Sequence, residues 1–194
     1  MPSNFSGNWK CCAVGDNFSD FLKIYGAGRI IRTLAYMTSY GVNREVENIT
    51  MASENDIQII NHGPRRKITQ TLKINGTEQS AENIPDGSPM SVTPSWDGDT
   101  FVMDQRGTSN GSGSGKALCT VVLRRTLEDN GQRLRTEMIA TTLDGKRSVT
   151  TFRLYERTDS TGQDGWGAAA RQQLAEEQGE LMEDTPRAQS AGYS

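Results

Sequence analysis

Residues 119 to 127 read Cys-Thr-Val-Val-Leu-Arg-Arg-Thr-Leu. In an extended strand alternate side chains share a face, so Cys119, Val121, Leu123, Arg125 and Leu127 form one row. The guanidinium of Arg125 stands in that apolar row. A buried charge is costly unless an opposite charge meets it, and arginine's planar donors suit both oxygens of a carboxylate. Arg125 is therefore a candidate for holding an anionic head group. The alternative is a salt bridge to an acid of the protein itself, such as Glu137.

Other chemistry is sparse. The single histidine, His62, falls in a turn context beside Gly63-Pro64, and no nucleophile motif accompanies it, which leaves an enzyme little machinery. Gly107 to Lys116 reads GTSNGSGSGK, superficially a phosphate loop. That motif needs Gly, four residues, then Gly-Lys-Ser/Thr, whereas Asn110 takes the first position and Ala117 the last, so the segment reads as a flexible loop. Three cysteines, Cys11, Cys12 and Cys119, are odd in number and lack metal-ligand spacing. Free thiols in a reducing compartment are expected, with no metal and no cofactor.

The elements that must position Arg125 are marked by punctuation. Asn75-Gly76, Asp86-Gly87, Asp97-Gly98, Asn130-Gly131 and Asp144-Gly145 supply the positive φ of tight turns. Between them strands are predicted near 5–13, 42–52, 57–62, 67–74, 77–84, 90–96, 100–106, 117–127, 133–142 and 148–157. A ten-stranded meander closes most simply into an all-β, antiparallel up-and-down β-barrel, which removes its edges. Helical spacing appears early, in Phe18, Phe21, Leu22 and Tyr25, with Asn17 or Asp16 as a cap. A second helix follows Gly26-Ala27-Gly28, with Ile30, Leu34 and Met37 on one stripe and Ile31 and Ala35 beside it. Two helices between the first two strands form a flap or lid.

Composition agrees with this layout. The apolar fraction, 34%, is low for a densely filled core and suits a barrel with a cavity. Residues 1 to 159 carry 19 basic and 18 acidic side chains, and residues 160 to 194 carry 2 and 6. Neither part has the basic excess that marks a nucleic-acid binder. The tail, 159–194, reads as polar and mostly disordered, with one short helix around 168–181. The start lacks a basic, apolar secretory signal, and no apolar run is long enough to span a bilayer, so a cytoplasmic protein is expected. On that expectation the five Asn-x-Ser/Thr matches carry no glycan.

In order and spacing, several motifs resemble the intracellular lipid-binding proteins, the family of fatty-acid-binding and cellular retinoid-binding proteins. Phe5-Ser6-Gly7-Asn8-Trp9-Lys10 is similar to the family's opening Phe-x-Gly-x-Trp-Lys. The segments 17–23 and 28–32 resemble its two lid helices, and Ser95-Trp96-Asp97-Gly98-Asp99 resembles a hairpin of its retinol-binding branch. Residues 125–129 and 153–157 resemble the strands that hold the ligand's head. The likeness spans roughly residues 2 to 158, the expected barrel domain 1–158. It implies a carrier, not an enzyme, binding a small hydrophobic ligand: a long-chain fatty acid or retinoic acid held by its carboxylate.

By the same resemblance Arg125, Arg153 and Tyr155 are the ligand-binding residues, the last two matching the family's Arg-x-Tyr clamp. Alternation opposes this for Arg153: Phe152 and Leu154 share one face, and Thr151, Arg153 and Tyr155 the other, so hydrophobicity alone turns the arginine to solvent. The family match turns it inward. Arg125 argues for an acid over an alcohol, because the family's retinol carriers tend to have a neutral amide there. A retinol carrier, or a scaffold acting through its tail, is the alternative. Arg29, Arg32, Arg65 and Arg66 form either a solvated surface or a basic portal rim meeting anionic membrane transiently. A monomer without nucleic-acid partners is expected.

Overall fold

The structure is a computed structural model and describes residues 2–63, 67–82, 89–107 and 119–162. Asp86-Gly87, Arg65, Arg66, most of the Gly107–Lys116 loop and the tail beyond residue 162 lie outside the described residues. The ten strands are β1 (Gly7–Val14), β2 (Val46–Ser53), β3 (Asp56–His62), β4 (Lys67–Lys73), β5 (Gln79–Glu82), β6 (Pro89–Asp97), β7 (Thr100–Gly107), β8 (Cys119–Glu128), β9 (Arg133–Thr142) and β10 (Ser148–Arg157). They form one antiparallel sheet in the order β4-β3-β2-β1-β10-β9-β8-β7-β6-β5, curled into a nearly closed barrel.

Among the described residues, four of the five expected turns sit where placed. Gly76, Gly98, Gly131 and Gly145 all have positive φ, with nothing within 4 Å of where a side chain would start. One turn makes no hairpin, however. At Asn75-Gly76 the Gly76 N–H donates to Pro94 O on β6, at 2.9 Å, and β4 and β5 share no ladder. Two glutamines span the seam instead. Gln70 Nε2 donates to Glu82 O at 2.7 Å, and the Gln79 amide accepts from Lys73 N at 2.8 Å while donating to Lys73 O at 2.6 Å. Two strand edges therefore remain, where full closure would have removed them.

Between β1 and β2 lie α1 (Phe18–Ile24) and α2 (Arg29–Met37), with α1 packed against β9 and β10. Asn17 takes the N-cap position of α1 without a side-chain cap bond. Leu34 of α2 is buried, but Met37 is 59% exposed, against the expected stripe. Met37 is the last helical residue. Beyond it the chain turns through Ser39–Gly41 and brings Tyr40, not Met37, onto Phe18, with ring centroids 5.1 Å apart.

The barrel's base is aromatic. Phe5 is fully buried, stacked on Trp96 (6.0 Å) and beside Phe101 (6.4 Å), and its carbonyl accepts from Trp9 Nε1 at 2.9 Å. Gly7 is required here. Its φ is +148°, and a Cβ would lie 2.3 Å from Arg157 Nη1, which donates to Ser6 O and belongs to a guanidinium 4.4 Å from the Trp9 ring centroid.

A buried charge cluster as candidate functional site

Strand β8 alternates as its sequence dictates, with Cys119, Val121, Leu123 and Arg125 all buried. Arg125 is 2% exposed and reaches across the barrel interior to Glu47 on β2. Its Nη1 donates to Oε2 at 2.6 Å and its Nη2 to Oε1 at 3.3 Å. The partner is thus an acid of the protein, but not Glu137. In the β8–β9 register Glu137 stands opposite Arg124, and Thr136 opposite Arg125. Opposed residues share a face, which puts Glu137 on the other side of the wall.

Arg153 points inward with Thr151 and Tyr155. Its Nη1 donates to Glu45 Oε2, and its guanidinium lies 4.8 Å from the Phe18 ring centroid on α1. Alternation alone fails here because the outer face of β10 is covered locally: the Arg135 guanidinium sits 4.3 Å over the Phe152 ring. Tyr155 is 1% exposed, and its hydroxyl lies 3.3 Å from Glu45 Oε1 and 3.4 Å from Glu47 Oε1. Asn61, buried on β3, donates through Nδ2 to Glu45 Oε1 (3.0 Å) and Glu47 Oε1 (3.4 Å). The three residues singled out from sequence therefore converge on one cluster, completed by Glu45, Glu47 and Asn61.

Those three escaped the sequence reading, although the signal was present. Glu45, just ahead of β2, and Glu47 and Ile49 within it alternate as Leu123, Arg125 and Leu127 do along β8. The outer row was misleading, because Val46 is also buried, with Gly162 against it: a Cβ on Gly162 would lie 3.0 Å from Val46 Cβ.

The electrostatics lock the cluster in its charged form. Burial works to raise the Glu47 pKa, but the charge and hydrogen bonds of Arg125 override it and hold the carboxyl below its ordinary value. Burial likewise opposes the charge on Arg125 and Arg153, and Glu47 and Glu45 respectively more than offset it. Burial, followed by the two glutamates, pushes the Tyr155 phenol well up, and Cys11 on β1 is pushed to about 12, chiefly by burial. Two cations and two anions leave the cluster neutral overall.

Two polar atoms within it have no partner among the described residues. Arg125 Nε and Thr136 Oγ1 are buried and unbonded, on residues directly opposed in the β8–β9 ladder. Native interiors seldom leave such groups unsatisfied. Outside the cluster, His62 closes β3 rather than lying in a turn. Its Nε2 is 2.6 Å from Asn48 Oδ1, and its pKa is lowered by burial and then by Lys67. Among the described residues no group of three or more His, Cys, Asp or Glu is arranged to hold a metal. Arg29 is exposed, and Arg32 donates to Ala27 O at 2.7 Å.

No family model and no curated protein matches the sequence. Solved structures do match the fold. Fatty-acid-binding protein 1 of Echinococcus granulosus aligns with a TM-score of 0.59 at 13% identity, covering 79% of this chain and 97% of its own. A Schistosoma mansoni fatty-acid-binding protein in complex with arachidonic acid gives 0.60 at 18%, covering 80% and 96%. Secretory abundant heat soluble protein 4 of Ramazzottius varieornatus gives 0.57 at 16%, covering 81% and 98%. The chain has the ten-stranded, two-helix fold of the fatty-acid-binding proteins.

Proposed function

We propose that this barrel binds and carries one small hydrophobic ligand, its polar head at Arg125, Arg153 and Tyr155 and its chain along inner residues such as Ile57, Val92 and Met103. The observation that carries this reading is the buried charge cluster with two unbonded polar atoms, inside a fold that in the Schistosoma protein holds arachidonic acid. Buried apolar area dominates affinity: at roughly 0.8 kcal/mol per CH₂, a long acyl chain has on the order of 10 kcal/mol available before ordering costs. The arachidonic acid of the Schistosoma protein supports a long-chain fatty acid, with retinoic acid as the second candidate. A carboxylate that reaches the arginines does so in competition with Glu45 and Glu47.

The same reading makes residues 1–158 the binding domain, acting without catalysis as a cytoplasmic monomer, with the tail from 159 outside it. The free thiols of Cys11, Cys12 and Cys119 support a reducing compartment. Native mass spectrometry of the gently purified protein with a panel of fatty acids and retinoids is the test. One lipid bound per chain is expected, and absorbance titration then separates retinoid from fatty acid. A barrel that takes up no lipid of the panel overturns the proposal and favours the scaffold reading.

A further inference from the structure

Resting on that carrier reading, we propose that Glu47, together with Glu45, makes the head site refuse any added negative charge, so that a lipid acid enters only with a proton taken from solvent. Both arginines are already answered by carboxylates, and the cluster is neutral overall. A ligand carboxylate arriving as an anion would leave one unbalanced negative charge in a site where Glu47 and Arg125 side chains are only 3% and 2% exposed, which is strongly unfavourable. Two routes avoid it. The acid enters as COOH, or it takes Arg125 from Glu47 and Glu47 accepts the proton. Either way one proton moves from water into the complex.

The unbonded atoms fit an uncharged head. Arg125 Nε is a donor and Thr136 Oγ1 is a donor or acceptor, so together they satisfy a hydroxyl or a protonated carboxyl without disturbing either ion pair. The groups around Glu47 are Cys11 on β1, Glu45 ahead of β2, Asn61 on β3, Arg125 on β8, and Arg153 and Tyr155 on β10, with Phe18 of α1 against Arg153. Cys11, with its pKa of about 12, and Tyr155, well above 10, keep their protons between pH 6 and 8, and both arginines stay charged. Glu47 or the ligand's own carboxyl is left to take up the proton. His62, its pKa lowered by burial and Lys67, lies outside the cluster with Nε2 against Asn48, and a neutral ligand controls for it.

The experiment measures binding of oleic acid and oleyl alcohol to the full chain from pH 6 to 8. Proton uptake predicts an oleate Kd that rises by up to tenfold per pH unit, while that of oleyl alcohol stays flat. Glu47→Gln should flatten the oleate slope and, at pH 8, tighten oleate at least tenfold relative to oleyl alcohol measured on the same variant. Calorimetry of the unaltered protein in phosphate and in Tris counts the protons independently of any variant's folding, and uptake near one per oleate is expected. If oleyl alcohol binds and oleate shows neither pH slope nor proton uptake, the selectivity proposal falls and the carrier reading stands. If neither binds at any pH, both fall.

Discussion

Replacing Arg125 with Met removes the cation but keeps much of its apolar stem, leaving Glu47 buried with only the long contacts to Asn61 and Tyr155, each 3.4 Å. Removing one partner of a buried pair costs about 3–5 kcal/mol, because the remaining charge is stranded. With a urea m-value of roughly 1–3 kcal/mol/M for a domain this size, the unfolding midpoint should fall by about 1 M or more. The cost depends on pH. In the native protein Glu47 has a lowered pKa, so its pairing stabilises above the unfolded carboxyl pKa and that stability is lost as pH falls through the folded value. In Arg125→Met the stranded carboxyl has a raised pKa, so its penalty fades on acidification. The gap between the two proteins should narrow from pH 7 toward pH 4.5. The double variant Arg125→Met with Glu47→Leu removes both charges and should recover most of the loss. If the double variant is as unstable as Arg125→Met at pH 7, packing rather than stranded charge governs the site, and the electrostatic account is refuted.

Two further outcomes test other parts of the fold. In the folded protein Cys12, only partly buried, should react with a thiol reagent well before Cys11 and Cys119, which are buried with pKa values raised to about 12 and about 11; mass mapping of partly labelled protein reads the order, and early labelling of Cys11 would contradict it. Gly7→Ala should destabilise by about 1–3 kcal/mol in urea melts, since it adds backbone strain and displaces Arg157, whereas Gly76→Ala, strained but with open space around it, should cost about 1 kcal/mol. Equal losses would remove the Arg157 contact from the explanation.

The strands and turns were legible because they rest on local chemistry. Alternation, Asn-Gly and Asp-Gly turns placed all ten strands close to their observed bounds, and α1 followed from Phe18 and Phe21. The row containing Arg125 was legible for the same reason. Its partner was not: Glu47 lies 78 residues away, on a strand brought across from β8 only when the sheet curls. Strand register was also invisible, and it is what places Glu137 on the outer face. Arg153 shows the opposite limit. It is met inside by Glu45 and Phe18, while Arg135 of the neighbouring strand covers Phe152 outside, contacts that no single-strand pattern contains.

The seam between β4 and β5 bears on how such a wall is held. A ladder of backbone bonds fixes the spacing of neighbouring strands at about 4.8 Å, so a fully laddered barrel has a fixed girth. Here Gln70 and Gln79 fasten β4 to β5 through side-chain amides, and Gln70 Oε1 has no partner among the described residues. The barrel is a hoop with a clasp. Along that one line two side-chain amides, with the Gly76 N–H bond to Pro94 O, do what backbone ladders do at the nine other strand boundaries.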